Sequence, residues 1–404
     1  MSGKENLRFE IDNITWNDLG MDEVFKRLDH AGSSVGSEYI KNSLKSLHLT
    51  EEPLKVRDEK AGFLTLHPER RPALVKIFKG LGKIKKVSFL DYIFRLEELT
   101  PQKNTKHIIL IILLLCAVGL LFISPAIGII SVIVMFAVNI SIYFKDKSKV
   151  EGYFQCIKYL ASMVICAGKL VKELSLPAYK DTSFEKDCEE LKELHKRFAS
   201  INRFSFLITN SVSGSIADVL MDYVRMLFHV DIIKFNNSRK TAIENKESIF
   251  RLYEIIGELE LALCIDEFRK EHISFCKPVF KETLSISFKD AVHPLLKEPV
   301  PNSLEAHRSV LLTGSNASGK STFLKATAIN QIFAQSFYTC LASEFETVFA
   351  KVLSSIALND NILAGESYFV VEIKSLKRIL DSISDVPVIC FVDEVLRGTN
   401  TAER

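Results

Sequence analysis

From Ile108 to Phe144 the chain runs about 37 residues without one acidic or basic side chain, and few structures accommodate such a stretch. A bilayer's hydrocarbon core is about 30 Å thick, and a helix needs about 20 apolar residues to cross it. One helix over the whole run would extend about 55 Å, whereas two helices of about 17 residues each match the core with little excess. Ser124, Pro125 and Gly128 sit at the middle, where proline and glycine break a helix and reverse the chain. The sequence therefore predicts a transmembrane helical hairpin within 103–147, its bilayer-facing part at 108–144. The competing structure is a hairpin buried in a soluble core, but cores seldom need two successive helices that are apolar all round. Lys103 and Lys106 precede the run, and Lys145, Lys147 and Lys149 follow it. Positive charge at both outer ends predicts a multi-pass membrane protein whose flanking soluble regions are both cytoplasmic.

Those flanks are of another kind. From about residue 14 to 100, apolar residues such as Trp16, Leu19, Val24, Phe25 and Leu28 recur at helical spacing among Lys, Arg and Glu. Helical periodicity returns from 150 to about 275, with charged stretches of mixed sign that read as solvated faces. The 404 residues are 47% hydrophobic, enough for two or three domains. With 52 basic and 50 acidic residues, overall charge selects no partner. The eight cysteines are scattered without metal-ligand spacing and read as reduced cytosolic thiols. The N-terminus is polar, and nothing in it marks a secretory signal.

The chemistry is concentrated near the other end. HRSVLLTGSNASGKSTFLKATAINQIF reads as an apolar strand, a glycine-rich turn and a helix, and Gly314 to Ser321 fits the phosphate-binding pattern Gly-x-x-x-x-Gly-Lys-Ser. Gly314 and Gly319 let the backbone curl, so that N–H groups from Ser315, Asn316, Ala317, Ser318 and Thr322 converge on phosphate at a helix N-terminus. Lys320 is expected to neutralise the β and γ phosphates, and Ser321 to give Mg²⁺ a hydroxyl oxygen. VPVICFVDE follows, an apolar run ending in two acids, as a parallel strand ends beside a nucleotide. Asp393 is then a metal carboxylate and Glu394 the general base for the attacking water. Together they predict binding of Mg·ATP.

GSNASGKST, DNILAGESYFVVEI and FVDEVLRGTNT, in that order, resemble the ATPase domain of the MutS family of DNA mismatch repair proteins. HPLL at His293 to Leu296 and TWNDLGMDEVFKRLD near the N-terminus extend the likeness. The resemblance implies an α + α/β chain: a helical core region at 1–102, the hairpin at 103–147, more helical core or lever at 148–278, and a P-loop ATPase domain of ABC type at 279–404. It implies that Ser367 lies in a signature loop completing the ATP site of a partner subunit, that Pro299 and Val300 pack near the adenine, and that the working form is a homodimer, with DNA as its partner. Three features depart from the pattern. Nothing near the N-terminus resembles the mismatch-reading domain with its Phe-x-Glu wedge; Phe280-Lys281-Glu282 fits that triplet only incidentally. The hairpin is foreign to the classical repair proteins and resembles a membrane-anchored branch. The chain also stops ten positions beyond Glu394, which predicts an incomplete ATPase domain.

Two other functions share parts of this outline. An ATP-binding-cassette transporter also joins membrane helices to a P-loop ATPase, but one hairpin cannot line a path, and GESYFVVEI lacks the Leu-Ser-Gly-Gly-Gln signature. A tether that binds ATP without turnover is the second alternative.

Overall fold

Helical periodicity near the N-terminus becomes buried surface in the structure, a computed structural model that describes residues 8–84, 88–99, 103–198, 216–272, 274–315, 318–356 and 368–393. Asp12 caps helix Asn13–Asp18 by accepting from the Thr15 backbone N–H at 2.8 Å. Trp16, Leu19, Val24 and Leu28 are buried, as their spacing predicts, and Phe25 is half-buried against them. The chain folds into two compact units. One unit comprises 1–31, 36–72 and 257–404, and the other 32–35 and 73–256.

The first unit holds the sheets. Val279–Phe280, Glu344–Thr347, Ile286–Ala291 and Asn302–Ala306 lie side by side in that order, the first pair parallel and the others antiparallel. Separately, Lys351–Ser355 pairs in parallel with Val388–Val392. The core draws Trp16, Leu44, Phe268, Ile329, Phe333 and Val352 together, so the N-terminal helices and the helix Lys320–Phe337 share one apolar interior. Polar side chains fix the same junction: Asp18 accepts from the Ser354 hydroxyl at 2.7 Å and the Ile356 N–H at 2.9 Å, while Arg378 donates to Asp12 and the Ser354 carbonyl. TWND therefore buttresses the strand Lys351–Ser355.

The second unit holds the apolar run. Thr105–Ile123 and Pro125–Leu174 form two helices, each containing a window long and apolar enough to cross a membrane. The break falls at Ser124, which is extended, with Pro125 opening the next helix where its missing N–H costs nothing. Gly128 has a separate role: a Cβ there would lie 2.6 Å from the Leu121 backbone nitrogen, so only glycine lets the helices close at their turn. The second helix does not end where the apolar run does. It continues to Leu174, because the change to charged residues near Lys145 alters the solvent a helix prefers without breaking its backbone. Beyond Lys149 its inward face, including Ile157, Leu160 and Val164, is buried in this unit. Gly168 receives the His195 ring, whose Nδ1 is 3.0 Å from the Val164 carbonyl.

The hairpin's base is polar and paired. Lys106 and Lys149 meet Asp146 at 2.5 and 3.1 Å, so two of the five flanking lysines are tied to a carboxylate within the flank itself. Asn104 exchanges hydrogen bonds with Asn236 and Asn237 at 2.9 and 2.8 Å. The Tyr143 hydroxyl donates to Asp231 at 3.0 Å, and the His107 and His229 Nδ1 atoms lie 2.7 Å apart.

Candidate functional site

The glycine-rich turn opens the helix Lys320–Phe337, and its two glycines are needed for different reasons. Gly319 is the N-cap at φ +89°, a left-handed conformation that side chains avoid. Gly314 has ordinary φ, but a Cβ there would approach the Ser318 Oγ to 2.9 Å. Lys320 folds over the turn and donates to the Gly314 and Ser315 carbonyls, both at 2.8 Å. The ammonium is thus held over the turn by two backbone carbonyls.

Seventy-two positions beyond Ser321, Asp393 follows directly on the strand Val388–Val392, and its N–H donates to the Ser355 carbonyl at 3.0 Å. That bond prolongs the parallel ladder and turns the carboxylate toward Ser321, whose hydroxyl donates to Asp393 Oδ2. The two residues expected to share a metal therefore touch. A hydroxyl and a carboxylate are hard oxygen donors, the kind Mg²⁺ takes.

A cleft of about 790 Å³ lies over the turn, lined by Gly314, Ser315, Ser318, Gly319, Lys320 and Thr322, with Val300 on its wall. Val300 is held by its carbonyl, which accepts from the Asn302 side chain at 2.8 Å. His293 lines the same cleft. Burial, with a smaller contribution from Lys325, pushes its imidazole below the ordinary histidine range, and its Nδ1 accepts from the Leu295 N–H at 3.2 Å. Neutral histidine presents an apolar ring face and an Nε2–H donor there. Asn316, Ala317, Ser367 and Glu394 lie outside the described residues.

One expected element is absent. The sequence predicts a strand running into the turn, yet residues 309–313 join no ladder among the described residues, and Leu311 is 88% exposed. A strand exists by virtue of a neighbour's backbone. Between this segment and the strand Val388–Val392 lies an apolar cleft of about 430 Å³, lined by Val310, Leu312, Val388, Ile389 and Phe391.

What holds the turn's helix in place escaped the sequence reading. Asn330, Gln331 and Gln335 are fully buried on it. Asn330 bonds the Val292 and Ala326 carbonyls and accepts from the Leu341 N–H at 2.7 Å. Gln331 donates to the Val348 carbonyl and accepts from Thr347, while Gln335 reaches the His48 carbonyl at 3.0 Å. The signal was three amides among the apolar residues of the helix's second half, each needing a partner once buried.

Known proteins resemble this chain. The profile of MutS domain V matches residues 310–404. The DNA mismatch repair protein MutS of Leptospira interrogans is 29% identical over 195 residues, covering 45% of this chain and 23% of that protein. That of Thermus thermophilus is 32% identical over 170 residues, 41% of this chain and 20% of its own length. MutS protein homolog 4 of Mus musculus is 27% identical over 277 residues, covering 62% and 28%. The chain spans about a fifth to somewhat over a quarter of the relatives it matches. The glycine-rich turn from Gly314 and the Ser321–Asp393 contact both lie in the part of the chain that matches MutS domain V, and over residues 310–404 the chain carries a MutS-family domain.

Proposed function

We propose that this chain is the ATPase part of a membrane-anchored, dimeric MutS-family protein that uses Mg·ATP to change its grip on DNA. The observation that carries the nucleotide reading is the Ser321–Asp393 hydrogen bond beside Lys320, which joins one strand end to one helix N-terminus. Lys320 exchanges two carbonyl partners for phosphate oxygens, which bind an ammonium more strongly. Ser321 and Asp393 hold Mg²⁺, which neutralises charge on the phosphates when bound. Val300 and His293 form the wall against the base. Glu394, next in sequence to Asp393, accepts a proton from the attacking water at its carboxylate. Ser367 completes the site of the partner subunit. Support for DNA as the substrate comes from the mismatch repair relatives, and support for the bilayer from the two apolar helices.

Titration of the full chain in nanodiscs with a fluorescent ATP analogue tests this reading. Lys320→Ala removes charge-assisted hydrogen bonds worth about 1.5–3 kcal/mol, about ten- to hundredfold in affinity. Glu394→Gln keeps the affinity and slows phosphate release by about 10²–10⁴, the range of a general base. Equal loss of binding in both variants overturns the assignment of roles. Mixing Ser367→Arg and Lys320→Ala chains restores part of the turnover if sites are shared across a dimer. Filter binding to duplex and mismatched DNA at two salt concentrations tests the substrate, since phosphate contacts weaken with salt.

A further inference from the structure

Helix Ile216–Leu227 packs on the helix Pro125–Leu174 and carries apolar side chains that the described residues leave exposed. Val219 is 54% exposed and Tyr223 47%, and Met221 and Val224 are also exposed. Single exposed apolar residues are ordinary on soluble proteins, but four within six positions form a patch that needs a covering phase. The helix has three charged residues, Asp218, Asp222 and Arg225, whose spacing of four and three places them on one stripe, and Arg225 reaches back to Asp222 at 3.3 Å. Tyr223 lies well round the helix from that stripe, and Val219, four residues earlier, flanks it.

The helix's place along the hairpin identifies the covering phase. Two residues past its end, His229 meets His107, and Asp231 accepts from Tyr143. His107 and Tyr143 stand at the two ends of the uncharged run, so this corner is fastened at the level where apolar surface gives way to lysines. From there the next helix, Val230–Glu244, leads past Asn104, and its Arg239 reaches the Leu96 carbonyl at 2.9 Å, on the polar side of the hairpin's base. Helix Ile216–Leu227 ends two residues before this corner and packs on the helix Pro125–Leu174, whose Phe136, Val138 and Phe144 are themselves exposed.

We propose that Ile216–Leu227 is an interfacial membrane helix, laying Val219, Tyr223 and Val224 into the headgroup boundary of the bilayer that the hairpin crosses. It rests on the membrane reading of the hairpin. A narrow charged stripe and a broad apolar remainder are the composition of helices that lie in that boundary, where tyrosine is favoured by its apolar ring and polar tip. The consequence is a third membrane contact, which fixes the tilt of the unit's helices against the bilayer.

The test is fluorescence of the full chain in phosphatidylcholine–phosphatidylglycerol vesicles with plain or brominated acyl chains. Trp16, the one native tryptophan, is buried and gives the baseline. Tyr223→Trp adds a reporter at an exposed position, and Val134→Trp adds one within the hairpin. In the expected result both reporters lose emission in brominated vesicles, while aqueous iodide quenches Trp16 and both reporters little. If the Val134→Trp reporter is quenched by bromine and the Tyr223→Trp reporter is not, the interfacial helix is overturned and the hairpin stands; a patch covered by a soluble protein would give this outcome. If neither is quenched, the membrane reading falls and the inference with it.

Discussion

Two helices of nearly equal length, Thr105–Ile123 and Lys320–Phe337, solve the problem of apolar surface in opposite ways. From Ala326 to Phe337 every side chain of the second is buried, including Asn330, Gln331 and Gln335. The first buries four of its nineteen residues and exposes Ile112, Leu115, Phe122 and others. A helix enclosed by protein can carry amides, because neighbouring carbonyls and hydroxyls satisfy them. A helix with no such neighbours must be apolar on its open faces and needs a solvent to match. Hydrophobicity alone therefore does not distinguish a core helix from a membrane helix; the placement of polar groups does.

The largest expected effect breaks this comparison on the membrane side. Ile133→Arg puts a charge on an exposed face of the second hairpin helix, at a cost of about 2.5–3.5 kcal/mol if that face meets lipid. Carbonate extraction reads the loss of integration; unchanged extraction and unchanged melting would place the face in water. Labelling of single cysteines near Asn104, Ser124 and Ser148 sharpens the result, since a hairpin exposes the middle position on the side opposite the other two.

Gln331→Leu probes the enclosed helix with a nearly isosteric change. It makes the helix more apolar yet strands the Val348 carbonyl and the Thr347 hydroxyl, at about 1–3 kcal/mol for buried groups left unpaired. A lower urea midpoint is the expected outcome, and a higher one would show that apolar gain outweighs the lost partners.

The smallest effects compare two glycines inside the hairpin. Gly119→Ala meets nothing within 4 Å and should gain up to about 1 kcal/mol of helix propensity. Gly128→Ala meets the Leu121 backbone and should lose about 1–3 kcal/mol through forced separation, so the pair differs in sign. Melting in detergent micelles checks both, and equal behaviour would contradict the close turn.

Much of this was legible from residue order. The uncharged run, its break at Ser124 and Pro125, the turn from Gly314 to Ser321 and the acid at Asp393 each depend on neighbours in sequence, through helix length, proline's missing donor and the reach of a loop. The roles of individual glycines were not legible, because Gly128 and Gly314 are required by atoms several residues away, and the pattern says only that glycine is there. The strand expected at 309–313 failed for the same reason, as an apolar extended segment becomes a strand only beside a partner. Sequence by itself determined which segments are helical and where the glycine-rich turn lies. Only the tertiary structure decided that TWND braces Lys351–Ser355, that buried amides hold the helix Lys320–Phe337, and that Ser321 touches Asp393. Those contacts join residues tens to hundreds of positions apart, and their energy depends on distance and burial in space, which local residue patterns do not encode.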